Sequence, residues 1–186
     1  MPFRNTAEAY GSLSKFLHWA IVLLIVGQWL LAETAEDAGK GTPERASLMG
    51  WHISFGMLVL LLALVRIAWK IVNQGQPAAL GQVAWHRTAA TAGHGLLYLL
   101  ILLQPLSGWL VVSSGGGAPG FFGWFDFPAL GAENHDFHER METVHKTLFN
   151  ALVVVAAVHV AAAFYHHWVL KDATLRRMLP FSRRRA

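Results

Sequence analysis

Two histidines in one long apolar stretch are the side chains of this chain best suited to chemistry. His145 and His159 lie fourteen residues apart within the run Thr143–Trp168. In a helix, this spacing brings both imidazoles to nearly the same face, within about 40° of each other and about 21 Å apart along the axis. Ionisable side chains at such depth in a membrane are costly and usually functional. The spacing therefore predicts two prosthetic groups at two depths.

Imidazole is the main metal-ligating group that the sequence offers. The chain has ten histidines and no cysteine. Without cysteine it has no disulfide, no thiolate nucleophile, no Cys-ligated iron–sulfur cluster and no covalently attached c-type haem. Histidine is a common axial ligand of haem iron. Any metal or haem iron held by this chain is therefore expected to depend mainly on imidazole.

The composition also indicates a membrane protein. Apolar residues make up 54% of the chain and charged residues 14%. Each of four apolar segments is near the roughly 20 residues that a spanning helix needs. The segments run approximately over Leu13–Ala32, Trp51–Trp69, Thr88–Val112 and Thr143–Trp168. We therefore predict an all-α integral membrane fold, a single four-helix domain over residues 1–186.

The longest predicted loop joins the third and fourth segments on the outward side. It covers residues 113–142 and is rich in glycine, proline and aromatic residues. Tryptophan and phenylalanine favour the headgroup boundary of a bilayer. Its FFGWFDF cluster therefore predicts an interfacial or re-entrant lid lying on the bundle, with a flexible loop carrying an aromatic belt as the alternative.

The distribution of charge orients the four segments. Eleven basic residues lie on the side of the termini and the second loop, against four on the other side. The positive-inside rule therefore predicts cytoplasmic termini. The basic tail is expected to lie against anionic lipid, so nucleic-acid binding is not predicted. The outward loops are acidic, with nine acidic residues against four basic ones.

The depth of the histidines within the segments sorts four of them into two pairs. His52 and His145 both lie at the outward ends of their segments, while His18 and His159 both lie toward the cytoplasmic side. The pairs His52/His145 and His18/His159 therefore predict two bis-histidine haem sites. His94 is close in depth to the inner pair, so it could replace either ligand, donate a hydrogen bond to a haem propionate, or line a quinone pocket.

Other residues suit this arrangement. Gly56, one turn after His52, would let a flat macrocycle approach the backbone, although small residues also serve close helix packing. Arg66 could pair with a haem propionate, although positive-inside topology alone accounts for it. His166 and His167, directly after the fourth segment, could bond a quinone carbonyl and deliver a proton, with an interfacial anchor as the alternative. His86, His135 and His138 lie outside the apolar segments and are expected to be solvated.

Four motifs together resemble the prokaryotic cytochrome b561 family over nearly the whole length. They are LSKFLHWAIV, WHISFGMLVLLLALVR, VHKTLFN and AVHVAAAFYHHWVLKDATLRRMLP. The resemblance implies a four-helix protein of the bacterial inner membrane that holds two b haems. Its ligands would be His18, His52, His145 and His159, in agreement with the depth sorting. Some members resemble a superoxide oxidase that passes electrons from superoxide to ubiquinone, and the wider superfamily includes cytochrome b subunits of hydrogenases and dehydrogenases.

The expected function is therefore electron transfer between an outer-face donor and ubiquinone. Superoxide is the leading donor, and Lys146 beside His145 would give it a local positive entrance. The acidic outer loops favour the alternative, a periplasmic electron-donor protein such as a basic soluble cytochrome, because an anion is steered by positive potential. A third possibility is a histidine-based metal transporter, although transport sites usually cluster near the bilayer midplane.

Overall fold

The computed structural model of the chain describes residues 2–7, 9–73 and 84–180. In these residues, four long helices dominate the fold. They are α1 (Ser12–Asp37), α2 (Pro43–Val72), α3 (Ala84–Ser114) and α4 (His135–Trp168), followed by the short α5 (Thr174–Met178). Each long helix is long and apolar enough to cross a membrane. The prediction of a four-helix integral membrane fold is confirmed.

The helices extend beyond the apolar segments because polar residues cap and continue them. The Asn134 side chain accepts a hydrogen bond from the backbone N–H of Phe137 at 2.9 Å, which starts α4 at His135 rather than near Thr143. Thr42 caps α2 in the same way and is followed by Pro43 at the first helical position. Between α3 and α4, residues 115–134 lie outside both helices, so the predicted outward segment 113–142 includes the last residues of α3 and the first two turns of α4.

The bundle consists of two helical hairpins. α1 packs mainly against α2, and α3 packs mainly against α4, with α2 and α3 joining the two hairpins. Among the described residues, the backbone of α4 hardly approaches that of α1 or α2. Leu17, Ile21, Met57 and Leu60 are buried in the interior. Most other apolar side chains face outward, as the surroundings of a membrane bundle require.

The FFGWFDF cluster forms a lid that lies on α2. Its two short strands, β1 (Gly120–Phe121) and β2 (Phe125–Asp126), pair as an antiparallel hairpin. The hydroxyl of Ser54 donates to the carbonyl of Gly120 at 3.1 Å and accepts from the N–H of Phe122 at 3.0 Å. Phe121 packs against Met57 and Leu60. The lid interpretation of this segment agrees with these contacts.

Both terminal segments are tied to the same end of the bundle. Nζ of Lys15 donates to the carbonyl of Leu179 at 3.0 Å, and the indole of Trp19 donates to that of Met178 at 2.9 Å. On the other side, the carboxamide oxygen of Asn5 accepts from the hydroxyl of Ser14 at 2.8 Å. The first turns of α1 therefore hold residues near both ends of the described chain at one end of the bundle.

Candidate functional site

The bundle brings the sequence-predicted histidines together in two pairs. The ring centroids of His52 and His145 are 6.3 Å apart, with the ring planes at 78°. Those of His18 and His159 are 6.5 Å apart, with the planes at 72°. Each pair joins α4 to a helix of the other hairpin, α2 for the first pair and α1 for the second. We call His52/His145 the outer pair and His18/His159 the inner pair.

Both separations match the spacing of two imidazoles on opposite sides of one iron. Metal–imidazole bonds are about 2.0–2.1 Å long and a ring centre lies ~1.1 Å behind its nitrogen, so the centroids would be about 6.3 Å apart. The rings reach across the space where α4 stays away from α1 and α2. A donor set of two imidazoles per level is the one that low-spin b haem uses. The residues therefore fit two haems, one at each level.

Backbone carbonyls orient both imidazoles of the outer pair. Nδ1 of His52 lies 3.2 Å from the carbonyl oxygen of Gln28, and Nδ1 of His145 lies 3.1 Å from that of Gln104. The hydroxyl of Ser107 donates to the Gln104 carbonyl at 2.7 Å and lies 2.9 Å from Nδ1 of His145, so it accepts from that N–H. A proton on Nδ1 leaves Nε2 of each ring free to bind a metal.

Two glutamine carboxamides lie beside the outer pair. Nε2 of Gln104 is 3.2 Å from Nε2 of His145, the nitrogen that would bind iron. Nε2 of Gln28 donates to the carbonyl of His52 at 2.8 Å. Among the described residues, the buried Oε1 atoms of both glutamines have no hydrogen-bond partner. Haem binding at the outer level therefore requires the Gln104 carboxamide to turn away from Nε2 of His145. The Oε1 atom of that carboxamide is already buried without a hydrogen-bond partner among the described residues.

Glycines make room around these side chains. A Cβ added at Gly108 would lie 3.1 Å from Cε1 of His145, and one added at Gly56 would lie 3.0 Å from Nε2 of Gln28. The space over Gly56, where the sequence predicted room for a flat macrocycle, therefore holds the Gln28 carboxamide. A Cβ added at Gly27 or Gly95 would meet nothing within 4 Å.

A third imidazole lies at the inner level. The ring centroid of His94 is 5.3 Å from that of His159, which is shorter than the roughly 6.3 Å expected of two ligands across one iron. His18 therefore fits as the partner of His159 better than His94 does. Within the described ranges, the rings of His18, His94 and His159 have no hydrogen-bond partner, in contrast to the outer pair.

Basic residues lie around the inner pair. Nη1 of Arg66 donates to the carbonyl of Ser14 at 3.2 Å, one turn before His18. Arg66 is close enough to His18 and His159 to act on both electrostatically. Nζ of Lys70 lies 4.7 Å from the ring centroid of Tyr98, and Cζ of Arg66 lies 5.8 Å from the same centroid. The inner level thus has fixed positive charge beside it, suited to propionate groups.

The end of α4 carries a histidine–carboxylate pair that sequence reasoning missed. Nδ1 of His166 lies 2.6 Å from Oδ2 of Asp172, and both side chains are largely buried. Burial raises the pKa of Asp172, but hydrogen bonds from Thr174 and His166 outweigh it and leave the pKa below its ordinary value. The ring of His86, expected to be solvated, lies 6.1 Å from that of His166.

The other two predicted catalytic residues have different surroundings. Nδ1 of His167 is buried and has no hydrogen-bond partner among the described residues. Nζ of Lys146 lies 3.9 Å from a carboxylate oxygen of Glu36, and both side chains are mostly exposed. Lys146 lies twenty residues before His166 on α4, so the structure separates Lys146 from the His166–His167 end by about 30 Å along that helix.

Comparison with known proteins shows the family of this chain. The family described as prokaryotic cytochrome b561 matches residues 9–181. The chain is 32% identical to cytochrome b561 homolog 2 of Escherichia coli (strain K12) over 184 residues, covering 96% of this chain and 95% of that protein. It is 29% identical over 183 residues to a protein of Yersinia pestis named "Probable superoxide oxidase CybB", covering 95% of this chain and 98% of that protein. It is 34% identical over 174 residues to cytochrome b562 of Cereibacter sphaeroides, covering 91% of this chain and 94% of that protein. This multi-pass membrane protein therefore belongs to the prokaryotic cytochrome b561 family of b-type haem electron-transfer proteins.

Proposed function

We propose that this protein is a dihaem cytochrome b of the bacterial inner membrane that carries electrons from an outer-face donor to ubiquinone. Superoxide is the proposed donor, which makes the protein an oxidoreductase of the superoxide oxidase type with cytoplasmic termini. The observation that carries the proposal is the pair of cross-helix histidine contacts, with ring centroids 6.3 and 6.5 Å apart. Two such pairs at two depths connect the two faces of the membrane.

The residues around each pair have distinct roles in this proposal. His52 and His145 would hold the outer haem, and His18 and His159 the inner one. When bound, a bis-histidine b haem supplies reversible one-electron transfer and has no open coordination position. Arg66 would bind a propionate of the inner haem, and His94 would donate a hydrogen bond at the same level. Gly56 keeps the outer level open for Gln28 and the macrocycle.

Quinone reduction needs protons as well as electrons, and the end of α4 offers a route for them. The carboxylate of Asp172 accepts from Nδ1–H of His166, which orients the ring and leaves Nε2 for a quinone carbonyl. An imidazole that titrates near neutral pH is suited to deliver a proton to that carbonyl. His167 is the neighbouring candidate, and its buried Nδ1 has no hydrogen-bond partner in the part of the chain that the structure describes.

At the outer end, Lys146 is the proposed guide for superoxide. It follows His145 directly in the sequence, and its charge acts on that ring. The name of the Yersinia pestis relative supports superoxide as donor. The acidic outer loops favour a second candidate, a basic soluble cytochrome or the subunit of a dehydrogenase or hydrogenase as donor. Metal transport has less support, because the described residues contain no group of three His, Asp or Glu side chains placed to hold a metal ion.

The test is haem quantitation followed by rapid kinetics. The purified protein should contain two b haems per chain by pyridine haemochrome assay and have a low-spin spectrum. Stopped-flow mixing with superoxide should reduce the haems, and added ubiquinone should reoxidise them. Reduction by a basic c-type cytochrome but not by superoxide would move the assignment to the second candidate. A protein that stays colourless after haem supplementation would refute the electron-transfer proposal.

A further inference from the structure

We infer that Ser107 and Arg66 set the two haem levels at different reduction potentials, with the outer level lower and the inner level higher. This inference rests on the two-haem part of the proposed function. It depends on an asymmetry between the two histidine pairs that the structure contains before any haem is added. The outer rings are hydrogen-bonded at Nδ1, whereas the inner rings have no such bond within residues 2–7, 9–73 and 84–180 and lie beside cations.

The hydrogen bonds of the outer pair act on the ligand strength of its imidazoles. Nδ1–H of His52 donates to one carbonyl, and Nδ1–H of His145 is shared between a carbonyl and the Ser107 hydroxyl. An acceptor at Nδ1 makes the ring a more basic ligand through its other nitrogen. A more basic axial ligand stabilises ferric over ferrous iron, which lowers the reduction potential. Both ligands at the outer level are affected in the same direction.

The inner pair lacks this effect and has the opposite electrostatic surroundings. Of the described side chains and carbonyls, none hydrogen-bonds the ring of His18 or His159. Arg66 donates to the carbonyl of Ser14, one turn before His18, at 3.2 Å, and Nζ of Lys70 lies 4.7 Å from the ring centroid of Tyr98, one turn after His94. Nearby positive charge favours the reduced haem, which carries one positive charge fewer. At His145, by comparison, the charges of Glu142 and Lys146 oppose each other.

The step that this asymmetry drives is simple. His52 and His145 would hold the outer haem and His18 and His159 the inner one, and these groups would supply one-electron transfer in which the outer level is oxidised as the inner level is reduced. No bond is made or broken, and no proton moves. The outer surface is thereby the entry side and the quinone end the exit side. Ser107 and Arg66 are positioning residues for this direction, because each acts through its effect on one haem level.

Potentiometric titration of the purified holoprotein tests the inference, with the haem absorption bands as readout. Wild type should titrate with two separate midpoints. Ser107→Ala removes an acceptor from His145 and should raise only the lower midpoint, by a three- to tenfold change in the reduction equilibrium, at most about 59 mV for one electron. Ser107→Thr keeps the hydroxyl and should restore the wild-type value. Arg66→Gln should lower only the upper midpoint.

Ser113→Ala is the matched control, and His145→Leu assigns each midpoint to one haem level. Ser113 lies on α3, as Ser107 does, and its buried hydroxyl accepts from the N–H of Leu130. Ser113→Ala removes that hydroxyl and should move neither midpoint. His145→Leu should leave one haem per chain, and its midpoint should equal the upper wild-type value. The inference is overturned if Ser107→Ala moves the upper midpoint or neither, or if Arg66→Gln moves the lower one. Fewer than two haems in wild type would instead refute the proposed function.

Discussion

The imidazole of His166 and the carboxylate of Asp172 form the shortest side-chain pair described at the end of α4, with Nδ1 and Oδ2 2.6 Å apart. Thr174 donates its backbone N–H to the other carboxylate oxygen at 2.8 Å. The carboxylate therefore fixes the ring from one side and is itself fixed by the following turn. If His166 passes a proton to quinone, Asp172 sets the orientation in which it does so.

Replacing this carboxylate should separate proton delivery from electron transfer. In Asp172→Asn, quinone reduction should fall about ten- to hundredfold, because the ring loses its orienting acceptor. Haem content and the rate of haem reduction by the outer donor should stay at wild-type values. Asp136→Asn changes an exposed carboxylate at the other end of α4 and should leave both rates unchanged. An unaffected quinone reduction rate in Asp172→Asn would show that protons reach quinone by another route.

The same carboxylate should make stability depend on acid pH. Because the folded protein lowers the pKa of Asp172 below its ordinary value of 3.8, the ionised form stabilises the fold. That contribution is fully present above the ordinary value and is lost as the pH falls through the lower folded value. Thermal unfolding in detergent should therefore show a steeper acid decline below pH ~4 for wild type than for Asp172→Asn. Parallel curves would contradict the prediction.

The contact between Gly108 and His145 should control the outer haem level selectively. In Gly108→Ala the new Cβ would lie 3.1 Å from Cε1 of His145, so the ring must shift. The outer haem should be bound more weakly and its absorption bands should broaden, while the inner haem keeps its spectrum. Gly50→Ala provides the control, because a Cβ there meets nothing within 4 Å and Gly50 is exposed. Equal loss of both haems in Gly108→Ala would point to general unfolding instead.

The charge of Lys146 should matter for an anionic donor and not for a cationic one. Lys146→Gln should slow reduction by superoxide about two- to fivefold at low ionic strength, with the difference shrinking as salt is added. The exposed Lys40 on the same side of the membrane gives the control variant Lys40→Gln. A rate with superoxide that is unchanged in Lys146→Gln would place the entry point elsewhere. A faster rate with a basic cytochrome would favour the second candidate donor.

The lid should depend on one serine hydroxyl. Ser54→Ala leaves the Gly120 carbonyl and the Phe122 N–H without their side-chain partner, at a cost of about 1–3 kcal/mol. Amide hydrogen exchange in residues 119–127 should accelerate, while exchange within α3 and α4 stays slow. Ser47→Ala, an exposed position on the same helix, should change nothing. Unaltered exchange in Ser54→Ala would mean that the aromatic packing of Phe121 holds the lid without these bonds.

Sequence alone predicted the features that depend on hydropathy and periodicity. The four helices follow from apolar segments of spanning length, and the proximity of the histidine pairs follows from depth in an antiparallel bundle. Helix ends such as His135 were missed because polar residues continue α4 beyond its apolar part. The capping residue Asn134 was the sequence signal that could have predicted the start of α4 at His135.

The surroundings of the histidines were less predictable. Gln28, Gln104 and Ser107 contact the outer pair, and polar residues inside spanning segments were the signal that could have found them. Which carbonyl meets which ring depends on helix rotation, and the apolar pattern fixes that poorly in a membrane, where lipid-facing and interior residues are both apolar. The pairing of Asp172 with His166 depends on the chain turning back after Trp168, for which the sequence contains no periodic signal.

The separation of α4 from α1 and α2 has a consequence for how the protein is made. Each helical hairpin is packed within itself, but α4 has little backbone contact with the first hairpin among the described residues. Imidazoles brought together through a shared iron would close that space. Biogenesis would then end with cofactor insertion, and cells short of haem would accumulate a loosely closed bundle exposed to membrane proteases. Supply of the prosthetic group would thereby set the cellular level of the protein.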